Sequence, residues 1–129
     1  MSMRGQPAER GAAAVEFAIL VPVLLLLVIG GMELARAQFE QAGLAGAARE
    51  AARSYAITKD PASATQAGIA ASTGVVLASD NFTITPTAAQ GGCAPGASAT
   101  VVVRYRFEPV TGLIGGIDMS TQAVFACER

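Results

Sequence analysis

The sequence predicts an α+β protein: a long amino-terminal helix whose first half is apolar enough to span a membrane, a short second helix, and a small antiparallel sheet. Three observations carry this. Large apolar side chains are concentrated in one early block, residues 12–32, of a 129-residue chain. A proline-free run of good helix formers follows, and then the periodicity changes from that of a helix to that of strands.

The block AAAVEFAILVPVLLLLVIGGM, residues 12–32, makes 21 positions and carries a single charge, Glu16. At 1.5 Å per residue it reaches about 30 Å, the hydrocarbon thickness of a bilayer. Residues 17–32 hold no charge at all. A cleaved secretory signal would need a polar stretch with a small-residue cut site, and here GGMELARAQF follows instead in helical register. The head of the chain carries Arg4 and Arg10 against Glu9, whereas residues 33–60 balance four basic against four acidic residues. The positive-inside rule therefore puts the amino end in the cytoplasm and the rest outside.

Residues 1–10 are polar and without periodicity, and read as disordered. MELARAQFEQAGLAGAAREAARSYAITK then continues the apolar helix, so one helix is expected from about residue 12 to about residue 57, roughly 70 Å long. Its face is read as a weakly apolar stripe of Leu34, Ala37, Gln41, Ala45, Ala48, Ala52 and Tyr55. Glu33, Arg36 and Glu40, paired at i,i+3 and i,i+4, are assigned with Glu50 and Arg53 to a solvated face, the other reading being partner contacts; Arg49 is the exception, having no intrahelical opposite charge at i+4. Asp60-Pro61 is a cap followed by proline at the first helical position, and starts a second helix that fades near Gly74. FTITP is a short strand ended by Pro86. In SATVVVRYRFEP the residues Val101, Val103, Tyr105 and Phe107 alternate with Val102, Arg104, Arg106 and Glu108, and STQAVFACE is the last strand. The order of strands in the sheet stays open. Asn81-Phe82-Thr83 has the form of a glycosylation acceptor but is assigned to strand entry. The expected organisation is thus a cytoplasmic leader over 1–11, a transmembrane helix over 12–32, its projecting continuation over 33–58, and an extracytoplasmic head over 59–129.

Composition narrows the function classes. The net charge of −1 offers no basic surface for nucleic acid. The chain has no histidine, no C-x-x-C pair, no nucleophile elbow and no phosphate or dinucleotide loop, so no catalytic, metal or cofactor-binding residue is assigned. Glu16 and Glu33 lie about 25 Å apart on one helix, too far for paired carboxylate chemistry. Cys93 and Cys127 fit an oxidising compartment and are expected to close a disulfide, the other reading being two buried thiols.

Two residues inside the apolar block need an explanation. Glu16 costs free energy in lipid unless it is paired or near the interface. It reads either as an interfacial glutamate reaching headgroup water or, were the chain cut after Gly11, as a carboxylate that neutralises the new amine of Ala12 on a neighbouring parallel helix. Pro22 removes one backbone hydrogen bond and allows a mild kink, while Gly30 and Gly31 permit close helix approach or form a soft point at the membrane exit.

These features occur in a recognisable sequence. R-G-x-x-x-V-E-F from Arg10, an apolar run containing Pro22, G-x-x-E-L-A-R from Gly30, A-A-R-E-A-A-R from Ala47 and V-x-V-x-Y-x-F-x-P from Val101 together resemble the TadE-like family of tight-adherence pilus assembly proteins. Ala51 stands where the family often has glycine, and a cysteine near the carboxyl end is found in only part of it. The resemblance implies a pseudopilin or minor pilin, processed by a prepilin peptidase at Gly11 with Glu16 at mature position five. It implies as partners other pilins of the same system, the inner-membrane assembly platform and the lipid bilayer. The alternative is an uncleaved single-pass adaptor of the assembly machine. A small-ligand module finds no convergent polar groups in GGCAPGAS or TGLIGG.

Overall fold

A computed structural model describes residues 7–128. Helix α1 runs Pro7–Thr58, α2 Pro61–Ala71, and strands β1 Phe82–Thr85, β2 Ser98–Phe107 and β3 Ile117–Ala126 form one sheet. The α+β class is as expected. The helix begins five residues before the expected position, with Pro7 supplying a fixed φ at the first helical position. That helix overrides the disorder read from the polarity of residues 7–10; residues 1–6 of the expected leader lie outside the described residues. The last strand likewise begins at Ile117, not at Ser120. Glycines 115 and 116 mask its start in the sequence, but its ten residues pair in unbroken register with the ten of β2, from Phe107↔Ile117 to Ser98↔Ala126.

Two compact units emerge, Met1–Ala35 and Arg36–Arg129. The first is the helical apolar segment taken up below. The second contains the remainder of α1, α2 and the sheet, whose strand order is β1-β2-β3 with both pairings antiparallel. Period-two alternation places Ala99, Val101, Val103 and Phe107 on the inner face, all 1% exposed or less. Val101 and Val103 stand opposite Ile84 and Phe82 of β1 and opposite Ala123 and Thr121 of β3. The outer face carries the exposed Arg104 and Arg106, the one-sided burial common in antiparallel sheets.

The inner face packs on α1 through a smooth surface of small side chains. Leu44, Ala47, Ala48, Ala51 and Ala52 join Val75, Leu77, Val101, Val103 and Ala123 in one core cluster. Tyr55, Ala56, Ala64, Cys93, Ala99 and Cys127 form a second. Alanine loses no rotamer freedom on burial and lets backbones approach closely, which compensates for its small apolar area. The approach is tightest where α2 returns along α1. A Cβ on Gly43 would overlap the Thr73 carbonyl, and one on Gly68 would lie 3.0 Å from the Ala47 carbonyl and 2.5 Å from the Phe82 ring.

The buried face of α1 differs from the expected stripe. Ala48, Ala52 and Tyr55 are buried, but Leu34 is 63% exposed, while Glu40 is 4% exposed and Glu33 is also buried. Glu40 is in helical register with Leu44, Ala47, Ala51 and Tyr55. The charged side read as solvated is thus partly a buried one, because Leu44, Ala47 and Ala51, four, seven and eleven positions after Glu40, pack against the sheet on that face.

Asp60 caps α2 as expected: its carboxylate accepts from the Ala62 and Ser63 amides at 3.3 and 2.9 Å and from the Ser63 hydroxyl. The Ser63 hydroxyl, the Ser63 amide and the Ala62 amide, in that order, hold the Asp60 carboxyl below its ordinary pKa. A depressed carboxyl contributes stability above its unfolded pKa and loses it as pH falls through the folded value. The first turn of α2 is therefore expected to fray on acidification below the ordinary carboxylate range. NMR shifts of residues 61–65 should report this, and Asp60→Asn, which keeps an acceptor without titrating, should abolish the pH dependence.

Candidate processing and assembly segment

The amino-terminal segment presents its apolar side chains outward on all sides. Phe17, Ile19, Leu20, Leu24, Leu26 and Leu27 are 58–69% exposed, and no residue from 11 to 32 is buried. Burying side chains of this kind is worth about 1.5–3 kcal/mol each, so a helix leaving them uncovered in its own fold is built for another apolar environment. Its length and composition suffice to cross a membrane. Glu16 is exposed on the same helix, and Pro22 is accommodated in the helix interior without ending it.

The glycines of this segment are not required by the packing of the chain itself. A Cβ at Gly11, Gly30 or Gly31 would meet nothing within 4 Å. Gly43 and Gly68, by contrast, are explained by internal packing.

The second unit is fastened at both ends. At one end Cys93 and Cys127 meet at disulfide distance, with Cα atoms 5.5 Å apart. The Cys127 amide donates to the Ala97 carbonyl at 2.9 Å, and the buried Tyr55 hydroxyl donates to the Pro86 carbonyl at 2.6 Å. At the other end the Arg36 guanidinium lies 5.1 Å from the Phe107 ring centroid. It donates to Glu40 Oε1 at 3.0 Å and to the Glu108 carbonyl at 3.2 Å. Arg36 is thus a clamp between helix and sheet. Sequence reading found the Arg36–Glu40 pair but missed Phe107 and Glu108, which no local spacing connects to it.

Glu40 depends on that clamp, since its Oε2 is buried without a hydrogen-bond partner among the described residues. Arg36→Ala leaves a buried carboxylate without its cation. Loss of one partner of a fully buried pair costs about 3–5 kcal/mol; the Arg36 side chain is 40% exposed, and solvent screening reduces the expectation to about 2–3 kcal/mol. Denaturant unfolding of the detergent-solubilised chain checks this, and adding Glu40→Gln to Arg36→Ala should restore part of the loss.

An apolar helix long enough to cross a bilayer, continuing into a small sheet-bearing unit, is consistent with a single-pass membrane protein. Residues 11–53 match the family model described as TadE-like protein. That segment is about a third of the chain, begins at Gly11 and runs through the A-A-R-E-A-A-R sequence; over it the chain is similar to the TadE-like family, a structural family associated with tight-adherence pili. No curated protein and no solved structure gives a significant match.

Proposed function

We propose that this chain is a pilin-like structural subunit, a pseudopilin or minor pilin, in the assembly of a tight-adherence type IV pilus. The observation that carries the reading is an apolar helix, uncovered in its own fold, lying within a family match that starts at Gly11. In this account residues 1–11 are a cytoplasmic leader and a prepilin peptidase cuts between Gly11 and Ala12. Residues 12–32 are held in the bilayer, 33–58 continue the helix, and 59–129 form the extracytoplasmic head.

Extraction into a filament exchanges lipid contacts for contacts with other pilin helices, a change that costs little apolar burial because both surroundings are hydrocarbon. Gly30 and Gly31 let neighbouring helices approach closely, and Pro22 provides a local adjustment of the helix path. Glu16 meets the new amine of Ala12 on an adjacent subunit, and the pair neutralises two charges that are each costly in an apolar bundle. The inner-membrane platform supplies the work of extraction. No step asks for a cofactor or a catalytic group from this chain.

Cell fractionation with and without the prepilin peptidase tests the reading. A shortened chain in the sheared surface fraction, present only with the peptidase, is the expected outcome. A full-length chain confined to the membrane in both strains would favour the uncleaved adaptor.

A further inference from the structure

We propose that the tip of the β2–β3 hairpin, residues 109–117, is a second membrane contact that seats Val110, Leu113, Ile114 and Ile117 in the headgroup region of the bilayer. The inference rests on the reading of residues 12–32 as the membrane span. The tip, PVTGLIGGI, carries no charge. Its four large apolar side chains are 80%, 70%, 56% and 45% exposed in the order given, an unusual grouping on the surface of so small a unit.

Its position follows from contacts within the second unit. Ala99 clusters with Tyr55 and Ala56, Val101 and Val103 with Leu44 to Ala52, and Phe107 lies under Arg36. Strand β2 therefore runs antiparallel to α1 and delivers the tip at the Arg36 end of the unit. Arg36 stands four positions after Met32, the end of the apolar block. The base of the tip, Glu108, is bonded to Arg36 itself. The tip thus lies at the end of the second unit where the chain enters it from the apolar block.

Charge is arranged to suit an interface. At the base of the tip Arg106 pairs with Glu108 at 2.9 Å and with Asp118 at 3.1 Å, and Arg36 lies beside them. This polar collar limits insertion, staying at the water side while the apolar tip enters the headgroup region, as in interfacial membrane anchors.

The chain has no tryptophan, so single substitutions report on chosen sites. Leu113→Trp, Leu26→Trp and Ile57→Trp are compared in the full chain, reconstituted at low density in phosphatidylcholine–phosphatidylglycerol vesicles with or without brominated acyl chains. The proposal expects Trp emission at position 113 to be blue-shifted and quenched by brominated lipid, position 26 to be quenched, and position 57, at the far end of α1, to remain unquenched. Water-like, unquenched emission at 113 beside quenching at 26 overturns the tip contact and leaves the span intact. A blue shift at 113 without lipid quenching overturns it in favour of contact with a second copy. Equal quenching at 57 and 113 overturns it in favour of general adsorption of the head, and no quenching at 26 removes the span and the proposal together.

Discussion

Gly11→Val is expected to leave the chain full length in cells that contain the prepilin peptidase. The effect should be all or none, because a peptidase subsite shaped for glycine excludes a branched side chain. The position makes the experiment clean: a Cβ at Gly11 meets nothing within 4 Å, so the substitution does not disturb the chain's own packing. Immunoblotting of whole cells for the shortened form is the check, and complete processing of the variant would remove Gly11 from the role assigned to it. Glu16→Gln separates cleavage from packing. It keeps the shape of the side chain and removes its charge, leaving the Ala12 amine of a neighbour unpaired in an apolar bundle. The expected outcome is a fall of about tenfold or more in the sheared surface fraction, which corresponds to about 1.4 kcal/mol of lost assembly free energy.

Cys93→Ala with Cys127→Ala is expected to destabilise the head by about 3–4 kcal/mol on the chain-entropy model, given a sequence separation of 34 residues. Both cysteines are buried in the cluster that holds Tyr55 and Ala99, so the lost bond is accompanied by two small cavities and the effect should lie at the upper end of that range. A domain with an alanine-rich core has little stability to spare. Thermal unfolding of wild type and double variant in the same detergent, with wild type also measured under reduction, provides the comparison; unchanged unfolding in both cases would show that the bridge contributes nothing.

Much of this fold was legible in the sequence because its signals are local. The Asp60-Pro61 start of α2, the alternation along β2 and the uncharged run of residues 17–32 each identify an element without reference to the rest. The pairing of Cys93 with Cys127 followed from their number and the inferred compartment. What escaped was set by tertiary contacts. Glu40 looks solvated beside Arg36, and only the approach of the sheet to Leu44, Ala47 and Ala51 shows that it is buried. The clamp from Arg36 to Phe107 and Glu108 joins residues more than seventy positions apart and has no periodic signature. The early start of β3 was hidden by Gly115 and Gly116, which mark a turn, and by a register that belongs to β2 as much as to β3. The processing residues are a different case. Gly11, Ala12 and Glu16 came from pattern and resemblance, and all three are exposed on the helix.

The most direct test is the intact mass of the protein purified without reduction from its native membrane and from the sheared surface fraction. The account predicts, in the surface fraction, a chain lacking residues 1–11 whose mass is further lowered by the two hydrogens lost in joining Cys93 to Cys127. A full-length mass found only in the membrane would contradict the pilin-like reading and leave an anchored adaptor in its place.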